Sequence, residues 1–252
     1  MTDSMKDKVA IVTGGSRDIG RAIAEKLAAE GAKVVVNYNS DAQQAEDTLK
    51  AIQATGGQAI AVRGDMTSSA DVDALVAATR EAYGDEIHAL VNVVGGLVER
   101  RTLQEMDEAF FEKVMKLNMT STFLVMRAAV PFMPKGAAIV NFSSQAGRDG
   151  GGPGASAYAT SKGAVMTFTR GMAKELGPQG IRVNALCPGM ISTTFHDTFT
   201  KDEVRRNVAA ATPLRREGNA AEIAETTWFL VSGQGEFITG ACIDINGGMF
   251  FS

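Results

Sequence analysis

The chain is constrained most by one repeated alternation. Short, wholly apolar runs of strand length give way to longer stretches whose apolar residues recur at helical spacing. The run Val9-Ala10-Ile11-Val12 lies in a strand predicted over residues 8–13 and stops at Gly14-Gly15. Next, Ile19, Ile23, Ala24 and Leu27 share one helical face, and Gly31 is placed to end that helix in the left-handed conformation. The rhythm continues with strands predicted over 33–37, 58–63, 87–92, 137–143, 182–187 and 241–245. Helices are predicted from about 41 to the Gly56-Gly57 pair, over 69–83, from about 102 to 132, around 158–176, and after a loop up to about 231. Strands that are apolar on both sides must be covered on both faces, and parallel neighbours need crossover helices. Right-handed crossovers then wind helices onto both sides of the sheet. The expectation is one α/β domain over 1–252, a doubly wound parallel sheet of about seven strands. Such sheets bind ligands beyond the carboxyl ends of their strands.

Composition narrows the function classes. A length of 252 residues suits one continuous domain. Runs such as Val34-Val35-Val36 are too short to span a bilayer, so no membrane association is expected. The first eight residues mix acids and bases with no cleavable apolar region behind them, which argues against a secretory signal and for a cytoplasmic protein. A net charge of -4 argues against nucleic acid as a partner. Cys187 and Cys242 stand apart, and His88 and His196 are the only histidines, so neither a disulfide nor a metal site is expected.

Several residues fall just past predicted strands. The first strand is followed by Thr13-Gly14-Gly15-Ser16-Arg17-Asp18-Ile19-Gly20, a turn of small residues that lets the main chain approach a diphosphate at a helix start. After the fourth comes Asn92-Val93-Val94-Gly95, and after the sixth Pro188-Gly189-Met190-Ile191-Ser192-Thr193. Tyr158 and Lys162 stand one helical turn apart, Ser144 closes the fifth strand, and Asn118 lies in the preceding helical stretch. Together these segments resemble the short-chain dehydrogenase/reductase family, and the resemblance runs from Lys8 to Gly248. The family's glycine fingerprint, TGxxxGxG, is met by Thr13, Gly14, Ile19 and Gly20, with Asp18 where the middle glycine belongs. A carboxylate there repels a diphosphate unless it turns away, pairs with Arg17 or caps the helix, and capping is the favoured reading. Of the family's NNAG, Asn92 and Gly95 remain, and Val93 and Val94 are read as packing beneath the cofactor.

The resemblance implies a Rossmann-like fold and hydride transfer between a nicotinamide dinucleotide and a carbonyl or alcohol. Asn118, Ser144, Tyr158 and Lys162 match the family's catalytic tetrad in identity and order. Hydride transfer to a carbonyl builds charge on oxygen, which needs a donor and then a proton. Tyr158 is the expected proton donor and Ser144 the group that holds the substrate oxygen. A free phenol ionises near pH ~10, so a neighbouring cation is needed to ease its ionisation. Lys162 is that cation and by resemblance also binds the nicotinamide ribose, while Asn118 anchors a water-linked proton path. The implied cofactor residues are Gly14, Ser16, Arg17, Asp18, Ile19, Gly20, Tyr38, Asn39, Ser40, Asp65, Met66, Asn92, Gly95, Pro188, Gly189, Ile191 and Thr193, with Tyr158 and Lys162. NADPH is expected over NADH, because Asn37-Tyr38-Asn39-Ser40 offers no carboxylate to a ribose diol and Arg17 suits a phosphate.

A segment from about 190 to 215, carrying Phe195, His196 and Phe199, reads as a mobile substrate lid with little periodicity. Gly95 to Arg100, Gly150 to Ala155 and Thr194-Phe195-His196 resemble bacterial reductases of the keto uronate released from alginate, 4-deoxy-L-erythro-5-hexoseulose uronate. Arg100, Arg101 or Arg148 is then expected to meet its carboxylate. Gly96, Arg100, Gln145, Arg148, Met190 and His196 are the candidate substrate contacts. The alternatives are a 3-oxoacyl-[acyl-carrier-protein] reductase and, in another class, a catalytically silent dinucleotide-binding regulator. By resemblance the chain forms a homotetramer through its long helices and last strand, where Met249-Phe250-Phe251 would be covered.

Overall fold

A computed structural model describes residues 5–252 of the chain. Of the N-terminal stretch read as lacking a signal, residues 1–4 lie outside the described residues. Seven parallel strands form one sheet: β1 (Val9–Thr13), β2 (Lys33–Tyr38), β3 (Gln58–Arg63), β4 (Ala89–Asn92), β5 (Ala138–Phe142), β6 (Arg182–Pro188) and β7 (Cys242–Ile245). Their order is β3-β2-β1-β4-β5-β6-β7, so the winding reverses between β1 and β4. Ten α-helices are described: α1 (Asp18–Ala29), α2 (Ala42–Ala54), α3 (Ser69–Tyr83), α4 (Glu108–Met115), α5 (Ser121–Ala129), α6 (Ala146–Asp149), α7 (Ser156–Leu176), α8 (Thr194–Phe199), α9 (Asp202–Ala211) and α10 (Ala220–Val231).

The period of two along each strand divides the core into two layers. Ala10, Val12, Val34, Val36, Val91 and Val140 face one layer, with Ile23 and Leu27 of α1 and Ile223 and Leu230 of α10. Ile11, Val35, Leu90 and Ile139 face the other, with Leu75 of α3, Val125 of α5 and Leu176 of α7. The continuous apolar runs therefore reflect burial on both faces, as their composition requires. Gly31 takes the left-handed conformation expected of it, φ +94°, after α1.

Two expected elements differ. The helical stretch predicted from about 102 to 132 is broken: residues 102–107 are not helical, and Lys116–Thr120 widens into a π-helical turn between α4 and α5. The lid read as irregular forms two helices, α8 and α9, and Asp197 and Glu217 both pair with Arg205 across the segment.

Candidate active site

The carboxyl ends of the strands open on one cleft of about 840 Å³, a volume ordinary for a cofactor and a small substrate. At its β1 end the glycine turn is fixed by packing and by one polar residue. A Cβ on Gly20 would stand 2.1 Å from the Gly14 carbonyl oxygen, so only glycine lets α1 start this close to the turn. Asn37, buried at the end of β2, accepts from the Gly14 amide at 3.2 Å through Oδ1 and donates to the Gly64 carbonyl at 3.0 Å through Nδ2. Its main-chain carbonyl accepts from the Gly15 amide at 2.9 Å. Asn37 was not among the expected site residues. A polar side chain closing an apolar strand must be satisfied somewhere, and that was the available signal.

Ser16, Arg17, Ile19, Tyr38, Asn39, Ser40, Asp65 and Met66 line the same end of the cleft. No carboxylate occurs in 38–40, and the nearest, Asp41, accepts the Gln44 amide as the cap of α2. Val93 and Val94 also line the cleft, and their amides donate to Thr13 Oγ1 at 3.0 and 3.3 Å. Gly95 lies where a Cβ would come within 2.6 Å of Asn118 Oδ1 and 2.7 Å of Lys162 Nζ, a close approach that glycine alone permits. Pro188, Gly189, Ile191 and Thr193 supply the wall beyond β6. A turn of small residues facing a buried lysine fits a dinucleotide.

Asp18 corrects the favoured expectation. The cap position of α1 is Arg17, whose side chain makes no capping bond. Asp18, at φ +49°, instead turns its carboxylate to the lid, accepting from the Thr194 amide at 3.1 Å and from Thr194 Oγ1 at 2.5 Å. It thus satisfies the start of α8, 176 residues away, rather than that of its own helix.

Ser144, Tyr158 and Lys162 converge on the cleft. Tyr158 and Lys162 are presented by the first turns of α7, one above the other. Burial pushes the Tyr158 phenol above its ordinary range, and its hydrogen bond with Ser144 opposes this in part. Burial also lowers Lys162 to about 8. Its Nζ donates to the Phe142 carbonyl at 2.8 Å and lies 5.8 Å from the centre of the Tyr158 ring. The lysine expected to lower the phenol is thus directed at a main-chain carbonyl, and desolvation governs both groups.

Three expected site residues lie behind the cleft wall. Asn118, in the π-helical turn, is fully buried. It accepts from the Gly96 amide at 2.9 Å and donates to the Gly96 and Val114 carbonyls at 2.9 and 3.0 Å. Asn92, expected at the cofactor, is buried at the end of β4 and donates to Asn141 Oδ1 at 2.9 Å, and Asn141 in turn donates to Thr169 at 3.0 Å. Arg148, expected at the substrate, is held 3.1 Å from Asp244 and donates to the Cys242 carbonyl at 2.6 Å, pinning α6 to β7.

The other substrate candidates border the cleft: Gly96, Arg100, Gln145, Met190 and His196. Arg101 is spent, paired with Glu99 at 2.9 Å and stacked 4.3 Å over Phe110. Arg100 donates to the Pro153 carbonyl at 2.9 Å and, at 3.4 Å, to that of Phe199, with no ion pair among the described residues. The lid sets Phe195 6.0 Å from Tyr158, ring centre to ring centre. Burial lowers His196 below its ordinary range, and the nearby Arg205 adds to this. Among the described residues no group of acids, histidines and cysteines could hold a metal ion, and no helix is long and apolar enough to cross a membrane.

Known proteins are similar to the chain over nearly their whole length. The chain is 37% identical over 249 residues to the uncharacterized oxidoreductase YgfF of Escherichia coli, covering 95% of this chain and 99% of that one. It is 36% identical to the 3-oxoacyl-[acyl-carrier-protein] reductase FabG of Staphylococcus aureus, with 96% and 98% covered. The crystal structure of a blue fluorescent protein from a metagenomic library in complex with NADPH superposes with a TM-score of 0.92 at 33% identity, covering 98% of this chain and all of that one. A family model described as enoyl-(acyl carrier protein) reductase matches residues 14–250. With its parallel sheet, its glycine turn and the Ser144, Tyr158 and Lys162 cluster at one cleft, the chain belongs to the short-chain dehydrogenase/reductase family, NAD(P)-dependent oxidoreductases acting on carbonyl and alcohol groups.

Proposed function

We propose that the protein uses NADPH to reduce the carbonyl of a small keto sugar acid, of the kind represented by 4-deoxy-L-erythro-5-hexoseulose uronate. The observation that carries this reading is Arg100, an arginine without an acid partner at the cleft, on the lid side of the Ser144 and Tyr158 hydroxyls. A carboxylate entering there gains a charge-assisted pair. Gly152 leaves room beside the guanidinium, since a Cβ there would stay 3.6 Å from Arg100 Nη1. Acid-free residues 38–40 and the exposed Arg17 support NADPH over NADH, as does the NADPH bound by the similar blue fluorescent protein.

The dinucleotide supplies the hydride when bound. Ser144 orients the substrate oxygen by hydrogen bonding, and Tyr158 gives that oxygen its phenolic proton. Lys162, buried behind Gly95, holds positive charge beside the Tyr158 ring and would hold the ribose of the bound dinucleotide. Asn118 keeps Gly96 in place, and with it the wall against which the substrate rests. Phe195 and Phe199 of the lid exclude water from the reacting oxygen.

A panel of carbonyl compounds followed by absorbance at 340 nm tests the reading. The keto uronate should be reduced in preference to neutral ketones, and Arg100→Ala should raise its KM about 10-fold or more, the loss of one charge-assisted pair, with kcat nearly unchanged. Equal rates on neutral ketones, or an unmoved KM, would sink the sugar-acid assignment. The resemblance to FabG favours a second reading, reduction of a 3-oxoacyl thioester, and that substrate belongs in the same panel. We also infer a homotetramer, since Leu103, Phe111 and Phe123 are exposed along the α4 and α5 side and Phe251 at the end of the chain.

A further inference from the structure

The middle glycine of the family's turn is replaced by an aspartate that adopts a glycine-like conformation, φ +49°, and spends its side chain on another element. Side chains rarely take this conformation without a local reason. Here the reason is visible. Thr194, the first residue of α8, gives both its amide and its hydroxyl to the Asp18 carboxylate, and Arg17 Nη1 donates to the same threonine oxygen at 3.1 Å. Arg17 Nε also lies 3.8 Å from Asp18 Oδ2. The three residues line the cleft where the glycine turn meets the lid. No other hydrogen bond or ion pair of the described residues joins the glycine turn to the lid.

We propose that Asp18 is a charge-operated latch: a diphosphate bound at the glycine turn drives the carboxylate onto Thr194 and so orders the lid over the substrate. The inference rests on the dinucleotide reading of that turn. Like charges repel, so with a diphosphate in the turn the Asp18 rotamers that face it become unfavourable. The rotamer bound to Thr194 directs the carboxylate at the lid, and it is also the one that fixes the first turn of the lid. Linkage makes the effect reciprocal. If the engaged latch favours the diphosphate, the diphosphate must favour the engaged latch by the same factor. Thr194 is then a positioning residue for cofactor binding, acting through Asp18. The turn of a family member with glycine at this position has no side chain with which to do this.

The test uses the full chain and adenosine diphosphate as the probe, with adenosine as the control that lacks charge. In the unaltered protein, the diphosphate should slow amide hydrogen exchange over residues 194–199 several-fold, and adenosine should not. Asp18→Asn keeps an acceptor for Thr194 and removes the charge. Its lid should exchange at the normal rate without ligand and no longer respond to the diphosphate. By calorimetry, Thr194→Val should weaken diphosphate binding about 5-fold, a coupling of about 1 kcal/mol, yet change it less than 2-fold when Asp18 is already Gly. Equal weakening in both backgrounds, or a lid in Asp18→Asn that still responds, overturns the latch alone. Failure of the unaltered protein to bind adenosine diphosphate overturns the dinucleotide reading and the latch with it.

Discussion

Burial sets the protonation of both Tyr158 and Lys162, the pair to which the proposed reaction assigns proton transfer. A phenol held above its ordinary range stays protonated at neutral pH, which is the state required of a donor to a developing alkoxide. Its removal in Tyr158→Phe should lower kcat at least about 100-fold while calorimetry finds NADPH bound about as tightly as before; retention of full turnover would refute the assignment. Lys162 titrates near 8, so its ammonium is present at neutral pH and lost as the pH rises through that value. For the reduction, kcat/KM should therefore fall above about pH 8. The stability sign is separate. Because the lysine is lowered on folding, its charge is a cost carried in full below about pH 8, and the cost fades as pH climbs toward the ordinary lysine value. At this scale the sequence placed Tyr158 and Lys162 together at the cleft, since their spacing on a helix is fixed by the helix itself. It misjudged Asp18, Asn92 and Arg148, whose partners Thr194, Asn141 and Asp244 are distant in sequence, and no local pattern reports such pairings.

The break between α4 and α5 is where an element departs from its local pattern for the sake of the site. A π-helical turn leaves main-chain groups without their regular partners, and Asn118 supplies a side chain to the Val114 carbonyl while clamping both polar groups of Gly96. Such a residue is structural support for a cleft wall. Asn118→Ala would strip one buried and two half-buried main-chain groups of their partners at once, and unfolding in urea should show a loss of about 1–3 kcal/mol; a loss below about 0.5 kcal/mol would show that the clamp is dispensable. Apolar periodicity made this stretch read as one long helix, because a π turn shifts the phase by only one residue and leaves no composition of its own. The lid likewise hid its helices. α8 and α9 bury no residue fully, so there was little apolar stripe to read, and the ion pairs of Arg205 with Asp197 and Glu217 are not visible in local spacing.

At the scale of the molecule, the strand alternation carried the most information: apolar on both faces, parallel, and reversed once, it leaves few arrangements that put the glycine turn and Tyr158 at the same edge. Assembly was less legible, since association depends on which apolar side chains the fold leaves uncovered. Leu103 and Phe251 remain 76% and 82% exposed in the single chain, areas that water penalises until a partner covers them. Light scattering should therefore give a mass near four times 26.5 kDa, and a monomer at micromolar concentration would remove the tetramer. The strand order also has a consequence for how the molecule comes into being. β2 and β3 add outward from β1 on one side, so a nascent chain leaving the ribosome can zip these three together early, whereas the opposite flank of β1 stays bare until β4 has been synthesised. Through that interval an apolar strand offers an open ladder of amides and carbonyls, the kind of surface that chaperones cover and that crowded cells turn into aggregates.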